Sequence, residues 1–199
     1  MKLDYELELK NKGYEYICGC DEAGRGPLAG PVAVAACIMP LDNLIEGIDD
    51  SKKISQKKRE ELYVKIINTA LAYNVVFIDE NEIDRVNILN ATKEGMEKAI
   101  NGLSIKPDYV LVDAVKGLNL NCEYLPIIKG DALSYSIGAA SILAKVTRDR
   151  LMLEMDKEYP EYNLKKHKGY GTKEHIENIK KYGPSPIHRL SFIKKIYNK

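Results

Sequence analysis

Four carboxylates stand directly behind apolar runs. Asp21 and Glu22 follow Tyr-Ile-Cys-Gly-Cys, Asp113 follows Tyr-Val-Leu-Val, and Asp131 follows Ile-Ile-Lys-Gly. Acidic side chains belong on surfaces, so an acid that closes a buried strand calls for a reason. Strand ends in an α/β sheet converge on one edge, and ligands bind there. Carboxylates gathered at such an edge repel one another unless cations lie between them. Hard cations such as Mg²⁺ take oxygen ligands, commonly one or two carboxylates each, with water and substrate phosphate completing the shell. Two such ions ~3.5–4 Å apart clamp the attacking and leaving oxygens of a phosphodiester. Each acid also has an ordinary reading: Asp131 as a helix N-cap, Asp113 as a turn acid, Asp21 and Glu22 as solvated loop residues. The joint pattern is more specific than its parts.

The elements that must position these acids are legible in outline. Tyr16–Cys20 and Val32–Met39 read as an antiparallel strand pair, joined by a turn holding Gly24, Gly26, Pro27, Gly30 and Pro31. Ser55 fits the cap of a helix running to about Ala72, with Leu62, Ile66 and Ala70 on one face. Val75–Ile78 reads as a short buried strand, Asn90–Ile100 as a helix, and Tyr109–Val112 and Leu125–Ile128 as strands. A long helix is expected from Ala132 to about Tyr159, where Pro160 ends it. Its small residues, among them Ser136, Gly138, Ala139, Ala140 and Ser141, allow close packing on a sheet. The tail should hold one helix, about Lys173–Lys181, and a Pro-rich turn at Gly183–Pro186. Hairpin and crossovers together imply an α/β domain around one mixed sheet flanked by helices.

Composition narrows the class. The chain has 199 residues, 45% hydrophobic and 30% charged, a globular balance. Its longest apolar run, Val32–Met39, is far short of the ~20 residues of a membrane span, and the acidic N-terminus is unlike a signal peptide. No membrane role and a cytoplasmic location are expected. Cysteines stand at 18, 20, 37 and 122 with no Cys-x-x-Cys pair, which fits free thiols better than zinc or a redox pair. The net charge is +1, but residues 165–199 hold ten Lys/Arg and two acids. With Tyr162, Tyr170, Tyr182 and Tyr197 nearby, this basic stretch fits either a phosphate-tracking surface or a solvated helical face.

At this point the motifs resemble a known family. Asp21-Glu-Ala-Gly-Arg-Gly-Pro-Leu-Ala-Gly-Pro-Val is similar to the signature of bacterial ribonuclease HII, the type 2 ribonuclease H. Asp50-Ser-Lys-Lys, Lys129-Gly-Asp-Ala, Ser136-Ile-Gly-Ala-Ala-Ser-Ile-Leu-Ala-Lys-Val-Thr-Arg-Asp-Arg, His167-Lys-Gly-Tyr-Gly-Thr and His188-Arg-Leu-Ser-Phe continue the match in the family's order, over about residues 16–192. Gly138 departs from the alanine expected there, and Ala114–Leu118 follows no family pattern. Type HIII relatives carry an extra N-terminal domain and lack this Gly-Arg-Gly; with the first strand near residue 16, that domain is not expected here.

The resemblance implies a ribonuclease H-like catalytic domain over residues 1–160, with a small basic helical C-terminal extension, 161–199, packed on it. It implies hydrolysis of the RNA strand of RNA/DNA hybrids and incision of DNA duplexes 5′ to single embedded ribonucleotides, leaving 3′-hydroxyl and 5′-phosphate ends. Asp21, Glu22, Asp113 and Asp131 match the family's catalytic, metal-binding carboxylates, for two ions of Mg²⁺ or Mn²⁺, with Asp21 the expected bridge. Gly24, Arg25 and Gly26 match the loop that reads the 2′-hydroxyl, and Tyr170 the residue that reads the adjoining junction. Lys52, Lys145, Arg148, Lys166 and Lys168 are candidate substrate contacts. Lys52 also fits a plain surface lysine, and Lys145, Arg148 and Asp149 a helix-surface charge cluster. His167 and His188 have no catalytic assignment, and a monomer is the default expectation. Two other classes stay open on the residues alone. One is a nuclease or recombinase acting on DNA. The other is a nucleic-acid binder without turnover. Gly24–Gly30 lacks the Gly-Lys-Ser/Thr ending of a P-loop.

Overall fold

The computed structural model describes residues 3–48 and 54–197. In chain order the elements are α1 (Asp4–Asn11), β1 (Ile17–Ala23), β2 (Val32–Ile38), α2 (Gln56–Thr69), β3 (Ala72–Ile78), α3 (Glu80–Val86), α4 (Ile88–Asn101), β4 (Tyr109–Asp113), β5 (Glu123–Ile127), α5 (Gly130–Leu133), α6 (Tyr135–Glu158), a 3₁₀ turn (Pro160–Tyr162), α7 (Leu164–His167), α8 (Lys173–Tyr182) and α9 (Leu190–Tyr197). The strands form one sheet in the order β3-β2-β1-β4-β5. β2 runs antiparallel to both of its neighbours, β1 and β3, while β4 runs parallel to β1 and β5 parallel to β4. This is the mixed, helix-flanked sheet that the sequence implied.

Alternation along the central strands feeds two cores. Cys18, Cys20, Val32, Val34, Val110 and Val112 face α4, with Met96 and Ile100 opposite them. Ala35 and Cys37 face α6 and α2, with Ala139, Leu143, Leu62 and Ile66 opposite. The helix packs close because β1 carries glycine at its crossing point: a Cβ on Gly19 would overlap the backbone of Ser136. Gly138 is equally apt, since a Cβ there would stand 3.0 Å from Ile48 and 3.2 Å from the Asp131 carbonyl oxygen.

Several elements differ from the sequence reading. β1 does not stop at Cys20. Its ladder with β2 continues through Asp21↔Ala35 and Glu22↔Val34 to Ala23, so both acids lie in the strand. β3 is longer than expected and forms a sheet edge, half exposed along its length, because no strand among the described residues pairs with its outer side. The helix read as beginning at Ala132 is interrupted: Ser134 is extended and caps α6 by accepting from the Ile137 amide at 3.1 Å. The tail holds α7 and α9 as well as α8, and α1 and α3 are helices beyond those the sequence pattern predicts. Ser55 does cap α2. Tail residues Tyr162, Leu164, Ile179, Ile187 and Ile193 bury against Met152 of α6 and Ala29.

Candidate active site

β1 and β4 bring two of the acids to one place. Their parallel register ends at Cys20↔Val112, so Asp21 and Asp113 lie one position further on, side by side. Alternation puts Asp21 on the same face as Gly19, toward α6, where the Ser141 hydroxyl hydrogen-bonds its carboxylate. Asp21 is only 4% exposed. Its Oδ1 also accepts from the Glu22 amide at 2.7 Å. Burial, then the charges of Glu22 and Asp113, push the Asp21 carboxyl well above the usual carboxylate range.

Asp113 is held by the next connection: its Oδ1 accepts from the Gly130 amide at 2.7 Å. That bond draws the start of α5, and with it the buried Asp131, to the end of β4. Asp131 is not a cap. The cap position of α5 is Lys129, in the left-handed region, and Ser134 caps α6.

A cleft of about 440 Å³ opens over this floor, lined by Asp21, Glu22, Ala23, Gly24, Arg25, Gly26, Ser141, Lys145 and Tyr170. Glu22 pairs with Arg25 at 3.4 Å. Lys145 stands on the rim, 2.7 Å from Asp149 and 6.0 Å from the centre of the Tyr170 ring. Tyr170 is 42% exposed, and a Cβ on Gly26 would lie 3.9 Å from its Cε1. The glycine turn and the tyrosine therefore face each other across the mouth.

Among the described residues no three His, Cys, Asp or Glu side chains form a ready-made metal cage. The donor set nevertheless fits hard cations. It is all oxygen, it is anionic, and its innermost member sits beside two like charges. Mg²⁺ in particular is held by one or two carboxylates together with water and substrate phosphate, not by a closed protein shell. Asp21 with Glu22, and Asp21 with Asp113, are the pairs available for that role.

Other expected contacts fall elsewhere. Arg148 is a correction: it is 0% exposed and cannot meet a duplex. Its Nε, Nη1 and Nη2 donate to the carbonyls of Pro31, Lys168 and Ala29 at 2.9, 3.0 and 3.1 Å. It sits beneath the positive-φ turn at Gly24, where a Cβ would overlap its Nε. Lys166 pairs with Glu174 at 2.6 Å, and Lys168 bonds the Lys165 carbonyl; neither lines the cleft. Lys52 lies outside the described residues.

Three contributors escaped the sequence reading. Ser141 shares a helix face with Lys145 and Arg148 at spacings of four and three, a signal that was available. Glu6 is fully buried and anchors the start of α6, its Oε1 accepting from Ser134 Oγ at 2.6 Å and the Ser136 amide at 2.9 Å. Arg189, also 0% exposed, donates from Nη2 to the Gly24 and Gly30 carbonyls at 2.6 and 2.7 Å, from Nη1 to Arg25 at 2.9 Å, and from Nε to Gly30 at 2.9 Å. Glu80, buried nearby, faces both guanidinium groups.

Comparison with known proteins agrees with this architecture. The family model described as "Ribonuclease HII" matches residues 18–195. The ribonuclease HII of Caldicellulosiruptor bescii is 56% identical over 97% of this chain and 94% of its own length. That of Clostridioides difficile is 56% identical over 96% and 75%. Among solved structures, ribonuclease H2 from Pyrococcus horikoshii superposes with a TM-score of 0.79 at 30% identity, covering 92% of this chain and 98% of that one. A chain of the PCNA:RNase HII complex from Archaeoglobus fulgidus gives 0.77 at 26%, covering 88% and 94%. Fold, strand-end acids and sequence thus converge, and the chain belongs to the ribonuclease HII family of nuclease hydrolases.

Proposed function

We propose that this endonuclease hydrolyses the RNA strand of RNA/DNA hybrids and incises DNA duplexes 5′ to single embedded ribonucleotides, using two divalent ions, Mg²⁺ or Mn²⁺. The reading is carried by one observation: a buried, charge-crowded Asp21 lies on the floor of a cleft rimmed by the Gly24–Gly26 turn and Tyr170. Asp21, Glu22, Asp113 and Asp131 would hold the ions. The chemistry two such ions supply is activation of a water and stabilisation of the departing 3′ oxygen.

The chain's own groups do the rest. Asp21, fixed by Ser141 and the Glu22 amide, lines the cleft with its carboxylate. Gly24 and Gly26 let backbone amides and carbonyls approach a ribose 2′-hydroxyl, which is both donor and acceptor. Arg25, tied to Glu22, caps that side. The Tyr170 ring offers a face to the adjoining sugar or base. Lys145, with Lys166 and Lys168 further out, supplies charge for phosphates, and Lys52 is assigned the same role from sequence. The monomer is the proposed working unit, with residues 161–199 an extension of the catalytic domain. Among the described residues no helix is long and apolar enough to cross a membrane.

The test uses three labelled substrates with Mg²⁺: a duplex with one ribonucleotide, its all-DNA twin, and an RNA/DNA hybrid. Cleavage of the first and third alone, 5′ to the ribonucleotide in the first, is the expected result. Cleavage of the all-DNA twin would overturn the 2′-hydroxyl reading, and binding without cleavage would overturn the assignment of the acids.

A further inference from the structure

The three histidines of the chain lie together in the tail, buried and away from the carboxylates. His167 and His175 stack with ring centres 4.4 Å apart, and His175 Nε2 lies 3.1 Å from His188 Nε2. The surrounding bonds fix every proton. The Ser185 amide donates to His188 Nδ1 at 3.0 Å, with the Ser185 hydroxyl 2.8 Å from the same atom. His188 Nδ1 is therefore an acceptor, and its hydrogen sits on Nε2. That hydrogen points at His175 Nε2, so the second ring must carry its own hydrogen on Nδ1. His175 Nδ1 lies 2.9 Å from the backbone carbonyl of Tyr170 and donates to it. The opposite arrangement would set two donors against each other at Ser185 and two acceptors at Tyr170.

Tyr170 is the endpoint of this relay. Its carbonyl also accepts from the Thr172 amide at 2.8 Å, and its own amide donates to the His167 carbonyl at 2.9 Å. The residue after His188 is Arg189, which grips the carbonyls of Gly24, Arg25 and Gly30. The backbone stitches the same pieces together: Leu28 N to the Gly169 carbonyl at 2.8 Å, Arg189 N to the Leu28 carbonyl at 2.9 Å, and Gly30 N to the Ile187 carbonyl at 2.9 Å. Two adjacent side chains thus hold opposite rims of the cleft.

We propose that His175 and His188 are positioning residues for Tyr170, and that with Arg189 they set the gap between Tyr170 and the Gly24–Gly26 turn into which a ribonucleotide junction must fit. This inference rests on the proposed reading of the cleft. A junction occurs at a single ribonucleotide but not inside a long hybrid. Loosening Tyr170 should therefore harm incision at the first more than cleavage of the second, whereas general loss of folded protein harms both alike.

The experiment compares kcat and KM on the two substrates for the unsubstituted protein, His175→Leu, His175→Asn, Tyr170→Ala and the double variant His175→Leu/Tyr170→Ala. His175→Leu removes the donor; the amide of His175→Asn can replace it. The expected result is a ratio of single-ribonucleotide to hybrid kcat/KM lowered about tenfold by His175→Leu and largely restored by His175→Asn, with no further lowering when His175→Leu is added to Tyr170→Ala. Should His175→Leu not fold, His188→Gln, which keeps a donor toward His175 but loses the Ser185 anchor, must lower the same ratio. Equal losses on both substrates, or additive losses in the double variant, overturn the inference and leave the reading of the cleft intact. No incision at a single ribonucleotide by the unsubstituted protein overturns both.

Discussion

The Gly130 amide donates a 2.7 Å hydrogen bond to Asp113 Oδ1, joining the end of β4 to the start of α5. One carboxylate oxygen thus has a structural partner. Asp113→Asn keeps an acceptor oxygen for that bond and removes the charge. Cleavage should fall by about 10²-fold or more, while the melting temperature moves by no more than about 4 °C. Asp113→Ala should lower both. Single-turnover cleavage beside thermal denaturation checks this, and an active Asp113→Asn protein would remove Asp113 from the site.

Asp21 makes the opposite prediction for stability. Its carboxyl is raised in the fold above the ordinary 3.8, so the folded state holds the proton more tightly than the unfolded one. The stability this contributes is complete below pH 3.8 and is lost as pH rises through the folded value. At neutral pH without divalent ions, Asp21→Asn should therefore be more stable than the parent, by about 1–2 kcal/mol, and inactive. Added Mg²⁺ should raise the parent's urea midpoint and leave that of the variant unchanged. A less stable variant would mean that Asp21 is a net stabilising group.

Arg148 bonds three carbonyls from inside the protein. Lysine presents one ammonium and cannot reproduce that fork. Arg148→Lys should cost about 2–4 kcal/mol in urea denaturation. The salt dependence of substrate binding should not change, because Arg148 never meets phosphate. A shallower salt slope would restore it as a contact.

The histidine relay sets a pH window. Burial drives both His175 and His188 down from 6.5 to about 4, with the neighbouring ring as a further cause for each. His167, stacked on His175, is also lowered by burial, and Glu174 and Asp156 oppose that shift. The unfolded chain takes up protons first, so the relay's contribution is complete above pH 6.5 and falls as the pH drops toward 4. Imidazole NMR resonances of the native protein should stay those of neutral rings, one tautomer each, until about pH 4. Titration of both rings near 6.5 would contradict the relay.

Thiol chemistry offers a simple check on the core. Cys18, Cys20 and Cys37 are buried between the sheet and its helices, and burial raises each thiol, Cys37 to about 12. Cys122 is half-buried, and its shift is also upward. An aromatic disulfide reagent should label Cys122 first and reach the other three only on unfolding. Fast labelling of Cys18 or Cys20 would mean that β1 opens readily.

The sequence carried the site's floor better than its surroundings. Asp21 and Asp113 were legible because an acid after an apolar strand is costly, and that cost is a property of neighbouring residues. Lys145 and Arg148 read alike from the sequence, as candidate substrate contacts or a helix-surface charge cluster, yet only Lys145 lines the cleft. Periodicity carries no depth, and Arg148 turned out to be buried because a tail from far along the chain covers it. Glu6 failed for the same reason: a glutamate in a short polar helix looks solvated until Ser134 is found above it. The histidines stand 8 and 13 residues apart, a spacing with no local meaning. Only the docking of α8 beside the Gly183–Pro186 turn brings them together. Such convergence depends on long-range packing, which pattern alone does not encode.

The contact at Gly19 also bears on how the molecule moves. With the Ser136 backbone where a Cβ would be, β1 and the first turns of α6 cannot slide without one striking the other. In native-state hydrogen exchange the amides of Gly19, Cys20 and Asp21 should be among the slowest, opening only when the whole molecule unfolds. The floor that carries Asp21 then keeps time with global unfolding, and local fluctuation alone does not spread it.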